Sequence, residues 1–262
     1  MPQSQEMMFY REFRPGARFQ SWVAAYWHFR VSPQAATPLL HTIPLTGAAM
    51  LAVAMPARLI ALTGPRVAPL HVQVHPGDEF WGVHFVPGAA ESLLGRLLRD
   101  AHVPAEAFAD SRWIDATFAR LDHVRTLCDA RKALDTSLRE WAPRAPRLDP
   151  HVMACIALMI RSQGSVPIAK IAAAVGLSER QLRRRFGTTT GLTPKEFARV
   201  RRARAALVDA ALGAPPRWCE IAVERGFADQ AHLIAEFRRT LGRTPRSMMQ
   251  HVRRIRHGRV LT

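Results

Sequence analysis

Arg180, Arg183 and Arg184 follow Ser178 and flank Leu182 at spacings that set all three on one side of a helix. A guanidinium in a major groove can donate two parallel hydrogen bonds to guanine O6 and N7, worth about 1–3 kcal/mol of base discrimination. Gln181 lies beside them with an amide that can donate or accept. The same run also fits a solvated charged face, so the elements that carry it decide its meaning. The formal net charge is +16, and residues 147–262 hold 22 Lys and Arg against 8 Asp and Glu. A basic excess confined to one end of a chain attracts polyanions, of which nucleic acid is the commonest.

The elements around the arginines have the grammar of two helices joined by a turn. Ile168, Ile171, Ala172 and Val175 recur at i, i+3, i+4 and i+7, and Gly176 follows as a helix stop. Ser178 with Gln181 three residues on forms a capping box, and Leu182 and Phe186 face inward one turn apart. The unit repeats. Ile171-Ala172 recurs as Ile221-Ala222, Gly176 as Gly226, Leu182 and Phe186 as Leu233 and Phe237, and Thr193-Pro194 as Thr244-Pro245. The offset is 50 before the insertion of Ala228 and 51 after it, which points to duplication. Between the units Thr193, Pro194 and Glu196 start a helix that runs to about Leu212, roughly 28 Å at 1.5 Å per residue. Major grooves on one face of a duplex recur at about 34 Å, so such a rod can hold two reading helices in neighbouring grooves.

Residues 1–142 have a different pattern. Ser21–Val31, Leu70–His75 and Phe80–Val86 alternate or cluster apolar residues as strands do, with turns at Pro44–Gly47, Gly64-Pro65, Pro76–Asp78 and Pro87-Gly88. From Ala89 to Trp141 the period becomes helical, with one stripe of Leu93, Leu94, Leu97 and Leu98 and another from Leu121 to Leu138. Prolines at 143 and 146 mark residues 143–150 as a linker. Everything from 151 to 262 is expected to be helical. The overall class is α+β: a β-rich, cupin-like first domain (1–142) with covering helices, then an all-α domain (151–262).

The pattern from Ile171 to Pro194, repeated from Ile221 to Pro245, resembles the AraC/XylS family of transcription regulators. The N-terminal segments Tyr26-Trp27, Leu62–Arg66 and Gly82–Ala90 resemble the β-rich sensor of one branch of it. The resemblance implies two helix-turn-helix units on a connecting helix, with the outward residues of each second helix touching bases. Carried onto this chain, the DNA-binding set is Arg180, Gln181, Arg183 and Arg184 in the first unit and Gln230, Ala231 and Ile234 in the second, where an arginine is expected in place of Ala235. Arg238, Arg239 and Arg243 are expected on phosphates, Thr193 and Lys195 join the set at the start of the connecting helix, and the tail arginines Arg253, Arg254, Arg256 and Arg259 are either further phosphate contacts or a frayed end. Trp27, Trp81 and His84 are candidates for lining a ligand cavity, with core packing as the competing reading. The expected partners are double-stranded promoter DNA and a small-molecule effector, with RNA polymerase and a second copy of the chain left open.

Other classes fit less well. No apolar run approaches the roughly 20 residues a bilayer requires, and residues 1–16 have no secretory pattern. Cys128, Cys155 and Cys219 are odd in number and far apart, which argues against a disulfide framework or thiolate zinc site and suits a reducing, cytoplasmic setting. No phosphate loop, HExxH or GxSxG occurs. His71 and His75 stand four residues apart on a strand, about 13 Å, too far to share a metal. No cofactor and no enzymatic activity are expected. An architectural DNA binder without a sensor remains an alternative to a ligand-controlled regulator.

Overall fold

The computed structural model describes residues 7–35, 37–43, 45–66, 68–212 and 216–257. Strands β1 (Met8–Phe13), β2 (Val23–Val31), β3 (Leu39–Ile43), β4 (Met50–Ala54), β5 (Leu59–Thr63), β6 (Leu70–Val74) and β7 (Glu79–Phe85) come first. They are followed by α1 (Ala89–Leu94), β8 (His102–Pro104), α2 (Ser111–Asp122) and α3 (Leu127–Trp141). The C-terminal part contains α4 (Pro150–Arg161), α5 (Ile168–Ala174), α6 (Glu179–Thr190), α7 (Pro194–Leu212), α8 (Trp218–Glu224), α9 (Gln230–Leu241), α10 (Pro245–Arg253) and β9 (Ile255–His257). One sheet has the order β8-β5-β4-β7-β2-β1-β9, and β3 and β6 form a separate ribbon.

Strand alternation gives the large sheet two apolar faces. Tyr26, Trp81, Val83 and Phe85 point to one face and share a core with Phe118, Leu121, Leu134 and Leu138 of α2 and α3. Trp27 and Phe29 point to the other and pack with Val74 and Val72 of the ribbon and with Ile255 of β9. Each of these large side chains contributes about 1.5–3 kcal/mol by leaving water.

Three expectations change. Leu93–Leu98 is not one helical stripe: α1 ends at Leu94, Gly95 takes a left-handed φ of 64°, and Leu98 is buried while Leu97 is 53% exposed. The second stripe is split between α2 and α3, with Cys128 exposed at the start of α3, and β8 interrupts the stretch expected to be helical. The C-terminal part is not wholly helical either. β9 pairs in parallel with β1, Met8 opposite Ile255 and Tyr10 opposite His257, so the end of the chain closes the edge of the first sheet. Three residues are too few to show a period of two, and their partner strand is at the opposite end of the chain. Pro44, one of the expected turn residues, lies outside the described residues, as does Arg259.

Candidate nucleic-acid interface

The first unit is built from local signals. α5 buries Ile171 and Ala172, then Gly176 at φ 70° turns the chain. Space is not the constraint at Gly176, because a Cβ there would meet nothing within 4 Å; the left-handed backbone is. Ser178 Oγ accepts the Gln181 amide at 3.2 Å, and Gln181 Oε1 accepts the Ser178 amide at 2.9 Å. Leu182 and Phe186 are fully buried. Arg180, Gln181, Arg183 and Arg184 are exposed, and none of the three arginines has an ion pair among the described residues. Gln181 thus has its carbonyl committed to the cap, leaving its NH2 as the outward group.

The second unit repeats the construction. Gly226 is also at φ 70°, Asp229 caps α9 by accepting the His232 amide at 2.7 Å, and Leu233 and Phe237 are fully buried. The outward face differs. Ala231 and Ala235 are exposed, Ile234 is half-buried, and Gln230 Oε1 accepts from the Cys219 thiol at 3.1 Å. Arg238 and Arg239 are exposed, the latter 3.8 Å from Glu236. Between the units Thr193 caps α7 in a reciprocal box with Glu196, and Lys195 is exposed on the first turn. In the tail, Arg253 and Arg254 are exposed and Arg256 lies in β9.

The second helix of each unit is also clasped by an ion pair that single-residue motifs do not reveal. Arg185 on α6 donates to both oxygens of Asp149, the N-cap of α4, at 2.8 and 3.1 Å. Arg199 on α7 donates to both oxygens of Glu236 on α9, the closest contact at 2.8 Å. The offsets of 50 and 51 carry Asp149 onto Arg199 and Arg185 onto Glu236. The duplicated clasp is therefore kept in place with its charges exchanged, a signal the repeat arithmetic contains. A third pair, Arg225 with Asp209, joins α8 to α7. Its counterparts in the first unit are Val175 and Met159, which pack in one apolar cluster.

Both units are docked against the N-terminal part, by different chemistry. Arg99 spans Glu196 with contacts of 2.8 and 3.3 Å and also donates to the Gly191 carbonyl. Burial pushes the Glu196 carboxyl up, but the hydrogen bonds from Arg99 and Thr193 outweigh it and hold it below its usual range. The second unit meets the β3–β6 ribbon. Arg243 donates to Thr42 Oγ1 at 2.8 Å and reaches the Leu40 carbonyl, so this guanidinium, expected on a phosphate, is turned inward here. His251 stacks near His41 at 5.2 Å, and burial lowers their pKa values to about 4 and about 3.

The three candidate ligand residues do not share a cavity. Trp27 and His84 lie on the ribbon side of the sheet, their rings 5.9 Å apart, whereas Trp81 lies on the opposite face, stacked 3.8 Å from His28. Trp27 and Trp81 are 6% and 3% exposed. His84 contacts the Tyr10 hydroxyl at 3.1 Å, and burial takes its pKa down to about 4. A cavity bounded by Ile43, Thr63 and Leu70 has about 30 Å³, room for little more than a water. His71 is engaged with Thr42 and His75 with Asp78. Among the described residues no group of three His, Cys, Asp or Glu could hold a metal, and no helix is long and apolar enough to cross a membrane.

Two helix-turn-helix units in tandem on a connecting helix define a DNA-binding module. Residues 171–251 match the sequence pattern of a helix-turn-helix domain family. The regulatory protein ada of Salmonella typhimurium is 32% identical over 131 residues, spanning 47% of this chain and 36% of that protein, so the chain covers about a third of that relative's length. Among solved structures, an AraC-type transcriptional regulator from Chromobacterium violaceum is 24% identical over 40% of this chain and 92% of its own, with a TM-score of 0.36. ToxT from Vibrio cholerae is 12% identical over 86% of this chain and 97% of its own, with a TM-score of 0.49. Residues 171–251 of this chain are thus a helix-turn-helix domain.

Proposed function

We propose that the chain is a sequence-specific transcription regulator of the AraC/XylS type, in which residues 151–262 read promoter DNA, residues 1–142 sense a small molecule, and residues 143–150 link the two. α6 and α9 enter neighbouring major grooves, spaced by the 19 residues of α7. The observation that carries the reading is the exposed set Arg180, Arg183 and Arg184, without an ion pair among the described residues, on a capped helix that buries Leu182, Phe186 and Thr190.

The two helices read differently. α6 supplies hydrogen-bonded recognition, with arginines matched to guanine. α9 contributes Gln230 toward adenine, thymine-methyl contacts from Ala231 and Ile234, and phosphate contacts from Arg238 and Arg239. Thr193 and Lys195 approach the backbone between the two grooves, and Arg243 joins them when the ribbon lets it go. Alanine scanning of both helices against a defined operator and random competitor tests this. Losses of discrimination concentrated at Arg180–Arg184 support the reading, and larger losses at Gln230–Ala235 reject it.

A further inference from the structure

The small-molecule control just proposed needs a place to act, and the interior of the N-terminal sheet is filled by aromatic side chains. A larger space lies elsewhere. A cavity of about 340 Å³ opens between α1, the connector ahead of α4 and the second half of α6. That volume holds on the order of ten water molecules or one small metabolite. Its walls include Glu91, Arg96, Arg147 and Thr189.

Glu91 is the anomaly in this wall. It is 4% exposed, and neither carboxyl oxygen has a hydrogen-bond partner among the described residues. The other buried carboxylate among the described residues, Glu236, is clasped by an arginine. An unpartnered buried carboxyl costs free energy that a donor would recover. Burial accordingly pushes its pKa up to about 7, so the carboxyl is only partly ionised near neutral pH, and a cation beside it would favour the carboxylate, the proton passing to water. Arg96 and Arg147 stand exposed at the mouth, neither with an ion pair among the described residues. The wall thus holds an unpartnered carboxyl just beneath its surface that calls for a positive donor, and the same lining carries two unpaired guanidiniums that call for an anion.

We propose that this cavity is the effector site, and that it takes a small zwitterion of the amino-acid class, its ammonium on the Glu91 carboxylate and its carboxylate between Arg96 and Arg147. The inference rests on the reading that DNA binding is under small-molecule control. The position suits that role. The Gly88 turn touches α6 closely enough that a Cβ would lie 2.8 Å from Thr189, and Ser92 Oγ ties α1 to the connector through the Arg147 carbonyl at 3.0 Å. Asp149, which clasps Arg185 of the reading helix, also lines the cavity. An occupant there touches the helix that presents Arg180, Arg183 and Arg184.

Titration calorimetry of the full chain with 6-aminohexanoate, hexylamine and hexanoate tests the site. The amino acid is expected to bind more tightly than either half-probe. Glu91→Gln, nearly isosteric, should weaken it at least tenfold, and Arg96→Ala with Arg147→Ala should reduce it to the level of hexylamine. Absence of binding by 6-aminohexanoate at millimolar concentration, or equal binding to Glu91→Gln, overturns the site; the two surface arginine variants keep the test open if Glu91→Gln does not fold. Operator affinity measured with the same probe separates the two readings. Glu91-dependent binding without any change in operator affinity upholds the site and removes the control. A response in operator affinity that survives Glu91→Gln upholds the control and removes the site.

Discussion

The two helix-turn-helix units share a backbone plan and differ in where they place charge. In the first, the arginines are outside and the contact between α4 and α5 is apolar, through Met159 and Val175. In the second, charge has moved inward: Asp209 and Arg225 occupy the corresponding positions, and the outward face carries two alanines. The clasp on each reading helix survives with reversed polarity, and Glu236 is deeper than either member of the Asp149–Arg185 pair. Duplication preserves geometry, while the identity of the atoms offered to DNA is free to drift. On the proposed function, the first unit discriminates bases and the second holds its helix rigidly in the neighbouring groove.

The largest expected effect breaks that rigidity. Arg199→Ala leaves the buried Glu236 carboxylate without its bidentate partner and with only the longer 3.8 Å contact to Arg239, and a loss of about 3 kcal/mol in urea unfolding is expected. Arg185→Ala should cost less, because its pair is more open to solvent, and the exchange Arg199→Glu with Glu236→Arg should recover part of the loss. Equal costs in the two units would remove the distinction. Next comes the reading face. Arg183→Ala should lower discrimination between operator and competitor by about 2 kcal/mol, roughly thirtyfold, in competition binding. Ala231→Gly should cost much less discrimination, because it removes a single methyl contact.

The docks differ as well, and acid separates them. Burial, with His251 and Arg243 beside His41 and with Arg243, Arg254 and His71 beside His251, depresses the folded pKa values of both histidines. Below about 6.5 the undocked chain binds protons that the docked one refuses, so the second contact weakens as pH falls from 6.5 toward 4. The first contact depends on Glu196, whose depressed pKa gives a contribution that is full above the usual carboxylate range and is lost only as the pH falls through that range and below it. Hydrogen exchange normalised for intrinsic rates should show α10 and β9 opening at pH 5 while the start of α7 stays protected. Simultaneous opening would contradict the assignment. The smallest effect sharpens the comparison from the other side: Ala235→Arg should add about 1 kcal/mol of discrimination under α9, read in the same competition assay.

What was legible in the sequence follows from range. The caps at Ser178, Thr193 and Asp229 and the glycine turns at 176 and 226 join residues within three or four positions, and each leaves a local pattern. The helical character of most of the chain after the linker and the inward Leu and Phe positions were readable for the same reason. The clasps join residues 36 and 37 apart, and the contact of Thr42 with His251 spans 209. No window contains both partners, though the exchanged charges were recoverable from the offset of the repeat. Leu93–Leu98 misled because four leucines imitate a stripe that a left-handed Gly95 interrupts. The tryptophans were ambiguous since burial and ligand contact demand the same residue types, and only strand register shows that Trp27 and Trp81 face opposite ways.

Selection of bound sites from a pool of randomised duplexes tests the unequal division of labour most directly. The account predicts two short elements about one helical turn apart, the one under α6 rich in guanine and strongly specified, the other tolerant and defined mainly by A·T pairs. A recovered site with its information concentrated in the second element, or no enrichment over the starting pool, would contradict it.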